Sequence, residues 1–579
     1  MQRREFLGGL ALAATARGAS EQPEKKSATE ALDLERKIQD TLAGRRPYEP
    51  LAYPYFSPDY KLPFTHIGTE KQLFLDNFML EHLDGIERVI VKPRKHSRPL
   101  IEFSNLPWEG VAFNPLICAA LYDPDDRKFK LWYTQSLSGD PYGTGQVLCY
   151  AESADALNWQ KPLLATGIPY KEHKATNIVH ADDVSGCGLA LNPDRSDRDR
   201  KFLLLYSPVL EARKQGLRSF SRVAQSADGL RWKVISRDVE QRHQHESRIF
   251  WDESIRQWVA FSQYSHHWHY GPRSRQIGRQ TSEDFIHWSP KEVVLSVDWD
   301  PTLDPDREFH DASIRKVGGL YIAIVGEAHT EPLWSSRTEN VRGMYAGTVW
   351  RDQFRVSPAL YVSRDGRRFT RAHGPEPWVE NGPPGSQDYG FIAQTPAGAL
   401  YHDGQMVIPY CAIPTKQWAL PRRDWVMVPE PARRDQERAL DEAKGFGTSG
   451  GDSSTDSKRL RRAVGGLLLR EDGWAMLRPR NEHGRVLTKQ FIFAGNQLRL
   501  NADCNFGYIR VELLNPLFEP YQGFSADDCD AVHHGTESIW HTLTWKGKAD
   551  VRALWNKPVM IRFHLYQAEL YAFQFVETA

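Results

Sequence analysis

The chain has 579 residues with 74 basic and 74 acidic side chains, too long for one ordinary core and without a global field that would favour nucleic acid or an anionic membrane. Eighteen Trp, 22 Tyr and 26 Phe beside seven Met favour β-structure with aromatic surfaces. The six cysteines (118, 149, 187, 411, 504 and 529) contain no C-x-x-C step and read as buried thiols, with Cys504 and Cys529 a pair open to an oxidising compartment.

The chain opens MQRREFLGGLALAATARGAS. Arg3 and Arg4 precede Phe6, Leu7 and a short apolar run diluted by Gly and Ala. That is the layout of a twin-arginine export signal over residues 1–19, and the run is too short to anchor in a bilayer. Residues 20–69 read as an N-terminal extension, with one helix over DLERKIQDTLAGR ended by Gly44.

From about residue 70 the text becomes repetitive. LYDPDDRKFKLWYTQ is followed by VLCYAESADALNW, which places Ser153, Asp155 and Trp159 in the spacing S-x-D-x-x-x-W. The spacing returns as Ser226, Asp228 and Trp232, then as Ser282, Asp284 and Trp288, and then as Ser363, Asp365 and Phe369. A fifth, eroded copy keeps Asp472 and Trp474 without the Ser. Between these marks lie strand-forming runs joined by acidic turns, so each unit is a four-stranded antiparallel sheet. Units of this kind bury their faces only against neighbours, which predicts a β-propeller over residues 70–476. The Ser and Asp are expected to bond the turn backbone, and the aromatic to pack between blades.

LFLDNFMLE, then PRKH, PWEG, the YDP…LWYTQ hairpin and the S-x-D-x-x-x-W repeats resemble uncharacterised bacterial proteins grouped with the N-terminal domain of glycoside hydrolase family 32. Those are similar in turn to the five-bladed propellers of families 32, 43 and 130. The resemblance implies five blades, a carbohydrate substrate, and acids at the start of each innermost strand converging on a central funnel. Glycoside hydrolysis needs two such carboxyl groups across the scissile bond.

Blade one departs from the resemblance: Asn114 stands before Pro115 where family 32 keeps its nucleophilic Asp, and Glu109 lies five residues earlier. Blade two opens with Asp182 and Asp183, near the place of a transition-state-stabilising or pKa-tuning Asp. In blade three His245 precedes Glu246, which falls where the resemblance implies the general acid. Blade four repeats the step as His310 and Asp311, and blade five offers Asp388. The expected catalytic set is Glu246, Asp311 and Asp183. Glu109, Asn114, Asp182, His245, His310, Asp388 and Trp268 are the expected substrate contacts. The histidines at 243, 245, 266, 267 and 269 show no third ligand at a fixed spacing and are read as funnel or surface residues. No cofactor is required; the resemblance leaves room for a structural calcium on the axis.

Residues 414–460, with a charged helical stretch and the low-complexity TSGGDSSTDSK, interrupt the last blade as an insertion. From 477 to 579 the strands become short and evenly spaced, with alternation such as Y-I-R-V-E-L, which predicts a C-terminal β-sandwich bracing the propeller. The sequence therefore reads as an all-β, periplasmic or secreted, monomeric glycoside hydrolase acting on an oligosaccharide or polysaccharide-derived glycan. A non-catalytic carbohydrate-binding propeller and a glycoside phosphorylase are the alternatives.

Overall fold

The computed structural model describes residues 65–578 except 104–105, 110–114, 138–144, 216–219, 240–247, 266–274, 297–306, 331–353, 384, 394–398, 415–461 and 534–538. The leader, the helix ended by Gly44 and the insertion, together with Asn114, His243, His245, Glu246, His266, His267, Trp268 and His269, lie outside the described residues.

The fold is all-β, and its strands follow the repeats. Four antiparallel runs come first, each in simple up-and-down order. They are Pro115–Asp123 to Trp159–Gln160, Ser185–Leu191 to Lys233–Val239, Arg248–Asp252 to Glu292–Leu295, and Arg307–Val317 to Thr370–Arg371. A fifth run pairs Phe391–Ala393 and Leu400–His402 with Gln405–Ile413, which pairs with Ala463–Arg470. One parallel pair, Val356 with Phe391, joins the fourth and fifth runs.

The outer edge of the fifth run is filled from the other end of the chain. Arg94–Lys95 and Ile101–Glu102 pair with Ala463–Arg470, so backbone groups that would template aggregation are covered by the protein's own beginning. The segment just before does the same for the C-terminal sheets. Ile86–Ile90 pairs with Ala475–Pro479, Leu80–Asp84 with His483–Thr488, and Gln72–Leu73 with Glu569–Val576. The expected division at residues 70 and 477 therefore needs correcting: residues 72–90 belong to the same sheets as 475–576. Sequence periodicity misses this because pairing partners as far apart as Ile90 and Ala475, or Gln72 and Phe573, leave no local signal. The two C-terminal sheets enclose one apolar core that includes Phe74, Leu477, Val486, Leu498, Val511, Phe563 and Phe573.

Each run packs on the next. Trp132 and Tyr150 of the first meet Phe202 and Leu204 of the second, and Leu203 and Val223 meet Ile249 and Trp258 of the third. Phe261 and Ile277 meet Ile314 and Ala323 of the fourth, and Ile322 and Leu360 meet Ile408 and Leu467 of the fifth. Val407, Val464 and Leu468 of the fifth then meet Ile117, Leu131 and Val147 of the first. Each buried aliphatic or aromatic side chain in such a layer contributes about 1.5–3 kcal/mol relative to exposure.

The four complete motifs fold alike. Ser153 Oγ donates to Asp155 Oδ1 at 3.0 Å, and that oxygen accepts the N–H groups of Leu157 at 2.9 Å and Asn158 at 2.7 Å. Asp228, Asp284 and Asp365 receive the corresponding bonds. The residue after each Asp has positive φ: Ala156 61°, Gly229 80°, Phe285 69° and Gly366 66°. The Trp side chains donate back into their own turns, from Trp159 to Ala156 O at 2.7 Å for instance. Trp159, Trp232, Trp288 and Phe369 pack into the layer shared with the neighbouring run, as expected. The fifth copy is a different turn, in which Asp472 itself has φ 53° and is bonded by Lys71 Nζ at 2.5 Å and Tyr401 OH at 3.1 Å.

Cys118 and Cys187 form a disulfide with Cα atoms 5.6 Å apart, which corrects their reading as free thiols. Cys149, Cys411, Cys504 and Cys529 are free and buried, so the considered Cys504 and Cys529 pair is absent.

Candidate functional site

Two sets of contacts fix how the first strands of the runs stand beside each other. Cys118, fourth in Pro115–Asp123, is bonded to Cys187, third in Ser185–Leu191. At the far ends Asp123 pairs with Lys201, in the hairpin that follows the second run's first strand, at 2.7 Å. These strands are therefore in phase and run the same way. The third and fourth runs repeat the pattern: Gln263 Nε2 donates to His310 O at 2.5 Å near the start, and Lys316 pairs with Asp252 at 3.0 Å near the end. The starts of the first strands thus lie together in the first and second runs and again in the third and fourth, and four acids predicted from sequence stand just before or near the start of a strand: Asp182, Asp183, Asp311 and Asp388.

Asp182 and Asp183 immediately precede Ser185–Leu191. Asp182 accepts both oxygens' worth of contact from Arg222 Nη1, at 2.8 and 2.9 Å, and the Tyr206 phenol at 2.5 Å. Arg222 is itself buried and donates its other nitrogen to Glu211 at 2.7 Å, so one guanidinium holds two carboxylates. The side chain of Asp182 is 31% exposed and that of Glu211 40%, which leaves both open on one side. Tyr206 is pushed above its ordinary pKa by burial and by Asp182, and so stays a donor. His180, next to this cluster, is lowered to about 4 by burial, against the raising effect of Asp182. Asp183 is buried and takes φ 46°.

Asp311 sits at a register shift between Phe309 and Asp311 within Arg307–Val317. It is buried and accepts the Gly326 backbone N–H at 3.2 Å, with His310 Nδ1 4.0 Å away. The His310 ring stands edge-on to Phe391, 5.4 Å between centroids. Asp388 precedes Phe391–Ala393 and accepts Lys95 Nζ at 2.6 Å, Ser386 Oγ at 3.1 Å and Tyr410 OH at 3.2 Å.

Glu109 differs. Its side chain has no exposed surface; Lys161 Nζ donates to both oxygens at 2.8 and 3.0 Å, and Tyr133 OH lies 3.3 Å away. The expectation that Glu109 contacts substrate is corrected: it is an interior ion pair within the layer between the fifth and first runs. Such a pair is strongly destabilising to break, because the remaining charge stays buried.

Sequence reading misses Arg222, Glu211, Tyr206, Lys95 and Tyr410. An arginine inside the run SFSRVAQS is the one local signal, since a charge at an inward strand position needs a buried partner. Lys95 carries no signal, because its role depends on the strand that the N-terminal segment adds. Glu327, buried and bonded by Arg307 at 3.0 Å, Tyr361 at 2.8 Å and Arg371, is likewise invisible in the sequence. Among the described residues no three His, Cys, Asp or Glu side chains come together as metal ligands would, and no helix is long and apolar enough to cross a membrane.

No family model matches the chain, and no curated protein matches it. Solved structures do. A thermostable family-43 glycoside hydrolase is 14% identical, with 54% of this chain and 87% of that one covered at a TM-score of 0.34. The β-fructofuranosidase from Schwanniomyces occidentalis complexed with fructosyl-erythritol is 10% identical, covering 83% and 98% at 0.36. An N-acetylgalactosamine deacetylase from F. plautii in complex with blood group B trisaccharide is 12% identical, covering 73% and 95% at 0.35.

Proposed function

We propose that the five runs are the blades of a β-propeller, braced by a β-sandwich, and that the protein is an exported glycoside hydrolase acting on an oligosaccharide or a polysaccharide-derived glycan. The observation that carries this reading is the placing of acids at one end of the first strands, in runs whose packing order returns to its beginning. Carboxylates from remote parts of the chain then share one funnel, as a two-carboxylate mechanism requires. In this reading Glu246 protonates the leaving oxygen, and Asp311 or Asp183 is the second carboxylate. Asp182, held by Arg222, and Asp388, held by Lys95, stabilise positive charge developing on the sugar ring. His245, His310, Asn114 and Trp268 contact the substrate, whereas Glu109 has no part. The twin-arginine leader and the Cys118–Cys187 disulfide both support an oxidising destination outside the cytoplasm, and the protein is read as a monomer.

The test is release of reducing ends from a panel of oligosaccharides by the full chain. Glu246→Gln and Asp311→Asn are each expected to lower kcat/KM by about 10²-fold or more. Unchanged turnover in both variants refutes the assignment. Turnover that requires inorganic phosphate identifies a phosphorylase instead, and binding without turnover a carbohydrate-binding propeller.

A further inference from the structure

The outward face of one C-terminal sheet carries a row of rings. In the order Leu80–Asp84, His483–Thr488, Met560–Tyr566, Tyr508–Leu514 and Val532–His533, four residues are cross-strand neighbours in a single line. His483 is opposite Tyr566, Tyr566 opposite Tyr508, and Tyr508 opposite His533. Their centroids are 4.7, 5.3 and 5.7 Å apart in turn. The inward neighbours Val486, Leu565 and Ile509 lie in the core, so by strand alternation the rings face away from it. His483 and His533 are exposed and the two tyrosines half-buried. Phe506, two residues before Tyr508, is 85% exposed, the most exposed large apolar side chain described.

Cross-strand ring pairs stabilise a sheet by themselves, at about 0.2–1 kcal/mol each. That accounts for the tyrosines in contact, but it gives no reason for Phe506 to stand in water in the turn that leads into the Tyr508 strand. The rows next to the rings are polar and balanced. Arg485 is taken up by Asp84 at 2.5 Å, while Arg562 and His564 share Glu512 at 2.9 and 3.0 Å. One apolar line edged by paired charges is too narrow for a stable protein interface, which buries about 800 Å² per partner with an apolar centre. It has the width of a single extended chain with apolar faces and hydroxyl edges. The tilted rings, leaning on one another, supply apolar ring edges and the outer faces of the exposed His483 and His533, and the flanking side chains supply hydrogen bonds.

We propose that this row, His483, Tyr566, Tyr508 and His533 with Phe506 in the turn before it, is a binding platform for a neutral polysaccharide chain, separate from the funnel. Among the described residues Arg485, Arg562 and His564 beside the row are each taken up by a carboxylate, and Arg510 lies over the Tyr508 ring at 5.9 Å, so a neutral chain is the occupant rather than a uronic acid or a sulfated sugar. It goes beyond the hydrolase reading and stands whether or not the funnel is active, since retention is measured without turnover.

The experiment is affinity electrophoresis of the full chain in native gels containing neutral xylan, galactomannan or mixed-linkage β-glucan, with polygalacturonate as the charged control. At least one neutral polysaccharide is expected to retard the protein. Phe506→Ala combined with Tyr508→Ala should weaken that retardation at least tenfold, and Asp311→Asn should leave it intact. Phe506→Ala and His533→Ala, both at exposed positions, give the same answer by smaller steps if the Tyr508 variant is unstable. Three results overturn the proposal: no retardation by any neutral polysaccharide, retardation that survives all the aromatic variants, or retardation by polygalacturonate alone that salt removes. Loss of reducing-end release with retardation intact overturns only the hydrolase reading.

Discussion

Asp311 and Gly326 are fitted to one another. The N–H of Gly326 donates to Asp311 Oδ1 at 3.2 Å, and a Cβ at position 326 would overlap that same oxygen and crowd Val356. Gly326→Ala should therefore push the carboxylate out of place while leaving every titratable group present. The expected outcome is at least a tenfold fall in kcat/KM with a stability loss of about 1–3 kcal/mol from overpacking. Steady-state kinetics beside a denaturant melt measures both, and full activity would show that Asp311 has no role in turnover.

The disulfide should matter to stability. Cys118 and Cys187 close a loop of 69 residues between the first strands of adjacent runs. By chain entropy, replacing both with Ser should lower the unfolding free energy by about 4 kcal/mol, less if the unfolded chain keeps structure. Urea midpoints with and without reductant should differ for the native chain and coincide for the double variant.

Acid should weaken the protein in two stages. His180 and His373 are both lowered to about 4, chiefly by burial. Between pH 6.5 and 4 the unfolded chain binds protons at these positions and the folded one does not, so stability falls as pH falls through that window. Burial raises Asp123, but hydrogen bonds from Lys130 and Lys201 outweigh it and bring the carboxyl to about 2. Its contribution is present above about pH 4 and is lost between pH 4 and 2. Melting temperatures from pH 8 to 3 should show the slope, and His180→Gln should flatten the upper part.

The turn device can be removed one copy at a time. Asp228 accepts the N–H groups of Leu230 at 2.8 Å and Arg231 at 2.9 Å and the Ser226 hydroxyl at 3.1 Å. Asp228→Ala should cost about 1–2 kcal/mol, as the loss of a helix cap does. An equal loss from Asp365→Ala, where Phe369 replaces the indole, would show that the Trp-to-turn bond adds little. Differential scanning calorimetry of the two variants makes the comparison.

What the sequence reveals here depends on distance along the chain. The S-x-D-x-x-x-W turns are legible because Ser226 bonds Asp228 and Trp232 bonds the Gly229 carbonyl, all within seven residues. The acids at strand starts are legible as positions, because Asp182 and Asp311 follow the repeat. Their partners are not: Arg222 reaches Asp182 across 40 residues and Lys95 reaches Asp388 across 293. Glu109 misleads for the same reason, since only Lys161, 52 residues on, shows that it is interior. The ring row is invisible in sequence because its four members come from four strands that are not neighbours in the chain.

The N-terminal strands have a consequence for biosynthesis. Residues 72–102 pair directly with strands that lie between 463 and 576, so they are translated first and find their places last. The fifth run and the C-terminal sheets cannot be finished until those later strands have been made, whereas the first three runs contain all their own strands. Folding of these sheets is thereby tied to the last part of the chain to be made, and a polypeptide cut short before residue 463 would leave its earliest strands without partners.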